Sequence, residues 1–282
     1  MARTEPTRFV FQPVQLVRPC EIVAYRITEA IRAGDVRIGE RLPSEQNLSE
    51  QLAVSRPTLR EAIKLLVQAG IVQVVPGSAG GLFVISETVP PGLSGMPLPE
   101  PMLEDIESAM EARRLFEPHV ARMAAVHATP ADFARMRSAV ELSEQTSAQP
   151  RKGRVSNELA QRMTVASTRF NIAVARATQN SIIVQMMEVM MRRMELVRTL
   201  AVLALPDIAT STQTLAKSLK AIESGDPAQI DQATAERIEV LEAAWQRVSQ
   251  KAPRRRLLSP PALNTDKAPV LGQRRRTSPV AG

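Results

Sequence analysis

The chain has 282 residues, 44% of them hydrophobic, which is enough for two ordinary cores. The single cysteine, Cys20, excludes an intramolecular disulfide, and two histidines leave little material for a zinc or nucleophile site, so a reducing cytoplasm is expected. The formal charge of +7 invites a nucleic-acid partner, but eight Lys or Arg against Asp266 alone between Lys251 and Gly282 account for all of it, so local patterning is the better guide.

Residues 1–17, within MARTEPTRFVFQPVQLVRP, read as a flexible N-terminus without the apolar core or cleavage site of a signal peptide. No apolar run reaches about 18 residues, so no membrane partner is expected. The first helix, PCEIVAYRITEAIRAG, starts at Pro19 and stops at Gly34, with Ile22, Val23, Ile27, Ala30 and Ile31 expected on its inner face. A short helix follows from Glu45 with Ser44 as N-cap, then a turn at residues 53–55. A second helix starts at Arg56, with Ser55 as N-cap, Pro57 in the first turn and Gly70 as a left-handed stop. Ile63, Leu66 and Val67 are expected to anchor it. The segments IVQVV and LFVI, joined by PGSAGG, read as a two-stranded hairpin. Two short helices and a hairpin can lay one helix in the major groove and a wing beside the backbone. Residues 18–86 therefore read as a winged helix-turn-helix.

Ser55, Arg56, Thr58 and Arg60 crowd the start of the second helix. Arginine bonds bidentately to guanine or phosphate, and hydroxyls and helix N-terminal amides suit phosphate oxygens. These four are the candidate readers of double-stranded DNA. On an isolated helix they would read equally well as a solvated face; the adjoining wing favours the reader.

Five prolines between Ser86 and Pro101 mark a connection, with the linker placed at 87–101. Residues 102–250 read as all-helical, broken at QPRKGR and LPD. Residues 251–282 read as a disordered basic tail whose two RRR triplets either add salt-dependent affinity for phosphates or are merely solvated. The fold class is mainly α: a winged helix with a small β-hairpin, then a helical bundle.

The stretch GERLPSEQNLSEQLAVSRPTLREAIKLLVQAGIVQVVPGSAGGLFV resembles the winged-helix domain of the GntR family of bacterial regulators. The resemblance implies DNA contacts at Ser55, Arg56, Thr58, Arg60 and Gly77. It also implies a contact at position 46, where family members often carry arginine and this chain has Gln46. IESAMEARRLFEPHVARMAAVHATPADFARMRSAVEL resembles the opening of the FCD-type ligand-binding domain of FadR-like members, with Glu111, Arg113 and Glu117 in register. That domain usually holds a divalent metal through an Asp and three His. The matching positions here carry Ser167, Asn171, Leu215 and Arg237. Leucine cannot ligate, and arginine cannot in practice deprotonate to do so, so no metal is expected. His119 and His127, eight residues apart, do not make an i,i+4 pair.

Without a metal, two effector chemistries stay open: an apolar molecule held by burial, or a carboxylate held by arginine. Arg113, Asn171, Arg192, Arg193 and Arg237 are the candidate effector residues, with ordinary salt bridges as their bland alternative. Met186, Met187, Met190, Met191 and Met194 read either as the wall of a hydrophobic pocket or as helix core and dimer contact. The resulting functional reading is a ligand-responsive repressor, a homodimer on a palindromic operator, and not an enzyme. About 165 residues after the linker are too few for a fused aminotransferase-like domain, and they lack a glycine-rich phosphate loop. The alternative is a ligand-independent DNA-binding scaffold with a degenerate sensor.

Overall fold

Prolines, glycines and side-chain caps set most helix ends. The computed structural model describes residues 17–77, 80–87, 103–149 and 155–249. The expected flexible N-terminus up to residue 16, the linker beyond residue 87 and the basic tail lie outside the described residues.

Helix α1 (Pro19–Ala33) begins at a proline and ends on Gly34, whose φ of 80° only glycine adopts at no cost. Helix α2 (Glu45–Gln51) is capped by the Ser44 hydroxyl, and α3 (Arg56–Gln68) by that of Ser55, each accepting from the third residue on. Between them Ala53 turns the chain with a φ of 52°. The wing pairs β1 (Val72–Val75) with β2 (Gly81–Val84), running antiparallel from Val72 opposite Val84 to Val75 opposite Gly81. Residues 39–42 extend this hairpin, since Gly39 and Leu42 donate to Val84 and Leu82.

Ile27, Ile31, Leu48, Leu59, Ala62, Leu66, Ile71 and Val84 form one core around these elements. Two positions depart from the expected faces. Ile22 and Val67 are exposed, and Ala24 and Ala62 take the inward places, because the buried stripes of α1 and α3 run one residue round from the predicted ones.

The helical half comprises α4 (Leu103–His127), α5 (Pro130–Ser147), α6 (Asn157–Ala177), α7 (Ser181–Arg193), α8 (Glu195–Ala204), α9 (Ala209–Ser224) and α10 (Pro227–Ser249). The breaks expected near residues 149–154 and 205–207 separate α5 from α6 and α8 from α9. A further break at Met194, which the periodicity hides, separates α7 from α8. Helix α6 is the central element, packed against α4, α5, α7 and α8. Phe170, Met136, Met187 and Leu215 are fully buried in the main core beside it. Met187, Met191 and Met194 are core residues, whereas Met186 faces outward. No helix among the described residues is long and apolar enough to cross a membrane.

The two halves touch through α1 and α6. Arg176 clasps Asp35 with both Nη atoms, and Arg169 bonds the Ile31 carbonyl and Glu87. Arg32 on α1 reaches Glu195 at the start of α8 at 2.9 Å, and the Arg192 guanidinium lies 4.6 Å above the Tyr25 ring.

Helix α5 opens on a reciprocal cap. The Thr129 hydroxyl accepts from Asp132 N, and the Asp132 carboxylate accepts from Thr129 N, Thr129 Oγ1, Gln179 and Arg135. Burial raises the Asp132 carboxyl, but the Thr129 bonds and Arg135 more than offset it and hold it below the usual carboxylate range. A depressed carboxylate stabilises the fold above its unfolded pKa, and the gain is lost as pH falls through the folded value. Asp132→Asn is therefore expected to cost about 1–2 kcal/mol near neutral pH, shrinking as pH falls well below about 3.9. Urea denaturation of both proteins across that range checks this; a loss that stays constant into acid would assign it to packing instead of charge.

Candidate functional site

The first cluster of candidate residues lies at the exposed start of α3. Ser55, Arg56 and Arg60 are exposed and Thr58 is half-buried. The Ser55 and Thr58 hydroxyls bond each other at 2.8 Å, which fixes the first turn and leaves its amide end facing outward. Arg56 has no salt-bridge partner among the described residues and is free to meet an anion. Arg60 is held by Glu45 of α2 at 2.8 Å, a contact that raises its guanidinium pKa and aims it along the face shared by the two helices. Gln46 bonds Glu50, one turn on along the same exposed helix. Gly77 at the wing tip has a φ of 110° with open space around it, so backbone conformation and not crowding calls for glycine. Helix α3 thus presents a cationic N-terminal turn, and the wing stands after it on the same core.

The second cluster is buried. Arg113 and Glu117 of α4, Asn171 of α6 and Arg237 of α10 form one chain of bonds. Glu117 accepts from Arg113 at 2.5 Å and from Arg237 at 2.9 Å, and Arg237 donates to Asn171 at 2.8 Å. The Arg237 guanidinium also lies 5.6 Å from the Phe170 ring centre. Burial pushes the Glu117 carboxyl up, but Arg113 and Arg237 outweigh that and keep it below the ordinary value.

Arg198 of α8 joins this cluster, and sequence reasoning missed it. It bonds Ser167 and Thr168 hydroxyls, the Thr164 carbonyl and the Met191 sulfur, without any carboxylate. Burial, together with the nearby Arg113 and Arg237, pushes its pKa down to about 9. A lone arginine inside the apolar run LVRTLAVLAL is the signal that could have found it. Arg113, Arg198 and Arg237 line one cavity of about 40 Å³ with Ser167, Thr214, Leu215 and Leu241.

Arg192 and Arg193 are not part of it. Both lie on the last turn of α7, before the break at Met194 that begins α8. Arg192 lines a separate cleft with Glu29, Arg32 and Glu195, between the two halves. Arg193 is half-buried on α7 outside both.

The positions matching the family's metal ligands do converge here, but their chemistry does not fit a cation. Ser167 accepts from Arg198, Asn171 accepts from Arg237, Leu215 is apolar, and the fourth position is itself a guanidinium. Guanidinium charge stands where a divalent ion would bring its own. His119 bonds the Leu115 carbonyl, and no group of three His, Cys, Asp or Glu able to hold a metal occurs among the described residues.

Residues 20–84 match the family model described as bacterial regulatory proteins, gntR family, and residues 108–240 match that of the FCD domain. The Uxu operon transcriptional regulator of Escherichia coli is 32% identical over 172 residues, covering 60% of this chain and 62% of that protein. The regulator LutR of Bacillus subtilis is 31% identical over 159 residues, 56% of this chain and 67% of LutR. The transcriptional repressor NanR of Salmonella newport is 32% identical over 139 residues, 48% of this chain and 53% of NanR.

Glu117 balances two of the three buried guanidiniums. Glu117→Gln is expected to destabilise the protein by about 3–5 kcal/mol, because it leaves those cations without any counter-charge. Thermal or urea unfolding measures this, and a loss below about 1 kcal/mol would mean that the cluster is open to water.

Proposed function

We propose that this chain, which belongs to the GntR family of bacterial regulatory proteins and carries an FCD domain, is a transcription regulator, a cytoplasmic, ligand-responsive repressor acting as a homodimer on a palindromic operator. The observation that carries the reading is the unpaired Arg56 beside Ser55, Thr58 and Arg60 on the exposed first turn of α3. Arg56 and Arg60 reach base edges or phosphates, and the hydroxyls and helix amides hold the backbone. Gln46 and Gly77 flank this face on α2 and the wing.

Self-association is supported by an apolar stripe that no described residue covers. Leu115 (70% exposed), Met123 and Val126 (78%) share one face of α4, and Ile182 (60%), Met186 and Val189 share one face of the neighbouring α7. A helix face of this kind marks an interface more often than a bare surface. A second copy bound there presents two α3 helices to two half-sites about one helical turn apart. The repressor mode is taken from the similar NanR, a transcriptional repressor.

Helix α8 supplies the connection between sensor and reader. Arg198 faces the buried cavity, and Glu195, three residues earlier, holds Arg32 of α1. A ligand that moves α8 changes where α1, and with it the winged helix, rests.

Selection from random duplex DNA tests the reading, with enrichment of one inverted repeat as the expected result. Failure to enrich any palindrome would sink both the operator and the dimer. Arg56→Ala is expected to weaken binding to the enriched site by about ten- to a hundred-fold, corresponding to about 1–3 kcal/mol. Glu195→Gln is expected to change operator affinity several-fold while leaving the selected sequence unaltered. Identical affinity in a fluorescence-anisotropy titration would disconnect α8 from the DNA-binding half.

A further inference from the structure

We propose that the cavity between α4, α6, α8 and α10 is a receptor for a short-chain organic carboxylate, gripped directly by Arg113, Arg198 and Arg237 with no metal ion between protein and ligand. This rests on reading the helical half as the sensor.

The charge of the cavity is incomplete. Three buried guanidiniums face one carboxylate, Glu117, and Glu117 already accepts from Arg113 and Arg237. Among the described residues Arg198, 3% exposed, bonds only hydroxyls, a carbonyl and a thioether, while Glu117 and Glu195 attract it without bonding it. Two further donors, Arg113 Nη1 and Arg237 Nε, are buried and have no hydrogen-bond partner among the described residues. Buried cations without counter-charge and buried donors without acceptors are both strongly unfavourable, and a protein retains such groups where a ligand completes them. An anion with at least two acceptor oxygens answers every one of these deficits.

Shape and lining narrow the class. A guanidinium fork matches the two oxygens of a carboxylate. The cavity measures about 40 Å³, against about 10–15 Å³ for a single water, so it takes a carboxylate with a short body and little more. Ala201, Val202, Leu205 and Leu241 wall the remainder, which suits a few carbon atoms better than a fully hydrated inorganic ion.

Where a divalent ion holds a carboxylate by charge, Arg198 and Arg237 supply that charge covalently attached to the fold.

The test uses the full chain treated with EDTA, without DNA, and four probes: malonate, propionate, the neutral malonamide, and inorganic phosphate. Malonate or propionate is expected to raise the Tm and give a saturable calorimetric titration, and malonamide to do neither. Arg198→Met is expected to weaken that binding at least tenfold and, by removing an uncompensated buried cation, to melt no lower than the parent in the absence of anion. The wild-type comparison stands even where the variant fails to fold. Equal binding of malonamide, binding of phosphate alone, no binding of either carboxylate, binding that returns only with added divalent metal, or unchanged affinity in Arg198→Met overturns the proposal. Since no DNA is present, failure here leaves the operator reading intact, and a failed DNA selection leaves this one intact.

Discussion

One buried carboxylate organises the helical half. Glu117, 2% exposed, accepts from Arg113 one turn earlier on α4 and from Arg237 on α10, and Arg237 passes the connection to Asn171 on α6. Taking these ions out of water is costly, and the attraction between them offsets the cost only when all the partners are in place. The arrangement therefore specifies register as well as contact. Sliding α10 by one turn against α4 would strand the Arg237 guanidinium and leave Glu117 with Arg113 alone, whereas an apolar contact would tolerate the slip.

Helix α6 carries that order outward because its two faces do different things. Ser167 and Asn171, four residues apart, face the buried arginines, while Arg169 and Arg176, seven apart, face α1 of the DNA-binding half. The helical period of 3.6 residues places both pairs on opposite sides of one rigid rod. Helix α8 repeats the device over a shorter span, with Arg198 inside and Glu195 on Arg32. The chemistry of a buried cavity and the posture of a surface reader thus share two rigid elements.

The balance of charge in the cavity has a stability aspect. Glu117 is held in its charged form chiefly by Arg113 and Arg237, whereas for Arg198 burial and the same two guanidiniums outweigh the attraction of Glu117 and Glu195 and lower its affinity for its proton. Binding sites are commonly left in such an unfavourable state, since a fully satisfied pocket has no reason to take a ligand. The same logic applies on the surface, where Arg60 is neutralised by Glu45 and Arg56 is not.

The DNA-binding half was legible along the chain because its signals are local. Ser44 and Ser55 cap the helices they precede, Gly34 and Gly70 adopt the left-handed stops, and the β-branched runs pair across PGSAGG. Each depends on residues within a few positions, as does the mainly helical character of the second half. Errors of one residue in the buried faces, at Ile22 and Val67, came from reading periodicity where alanines fill the inward positions. Which arginines meet was a different kind of question. Arg237 finds Glu117 across 120 residues and Asn171 across 66, and Arg198 of α8 meets Ser167 and Thr168 of α6 across 31 and 30. Residue type alone pointed to Arg192 and Arg193, since any guanidinium can match a carboxylate. Local propensity writes helices and caps into the order of residues, but the meeting of distant charges is set by how whole helices pack, which no short window of sequence contains.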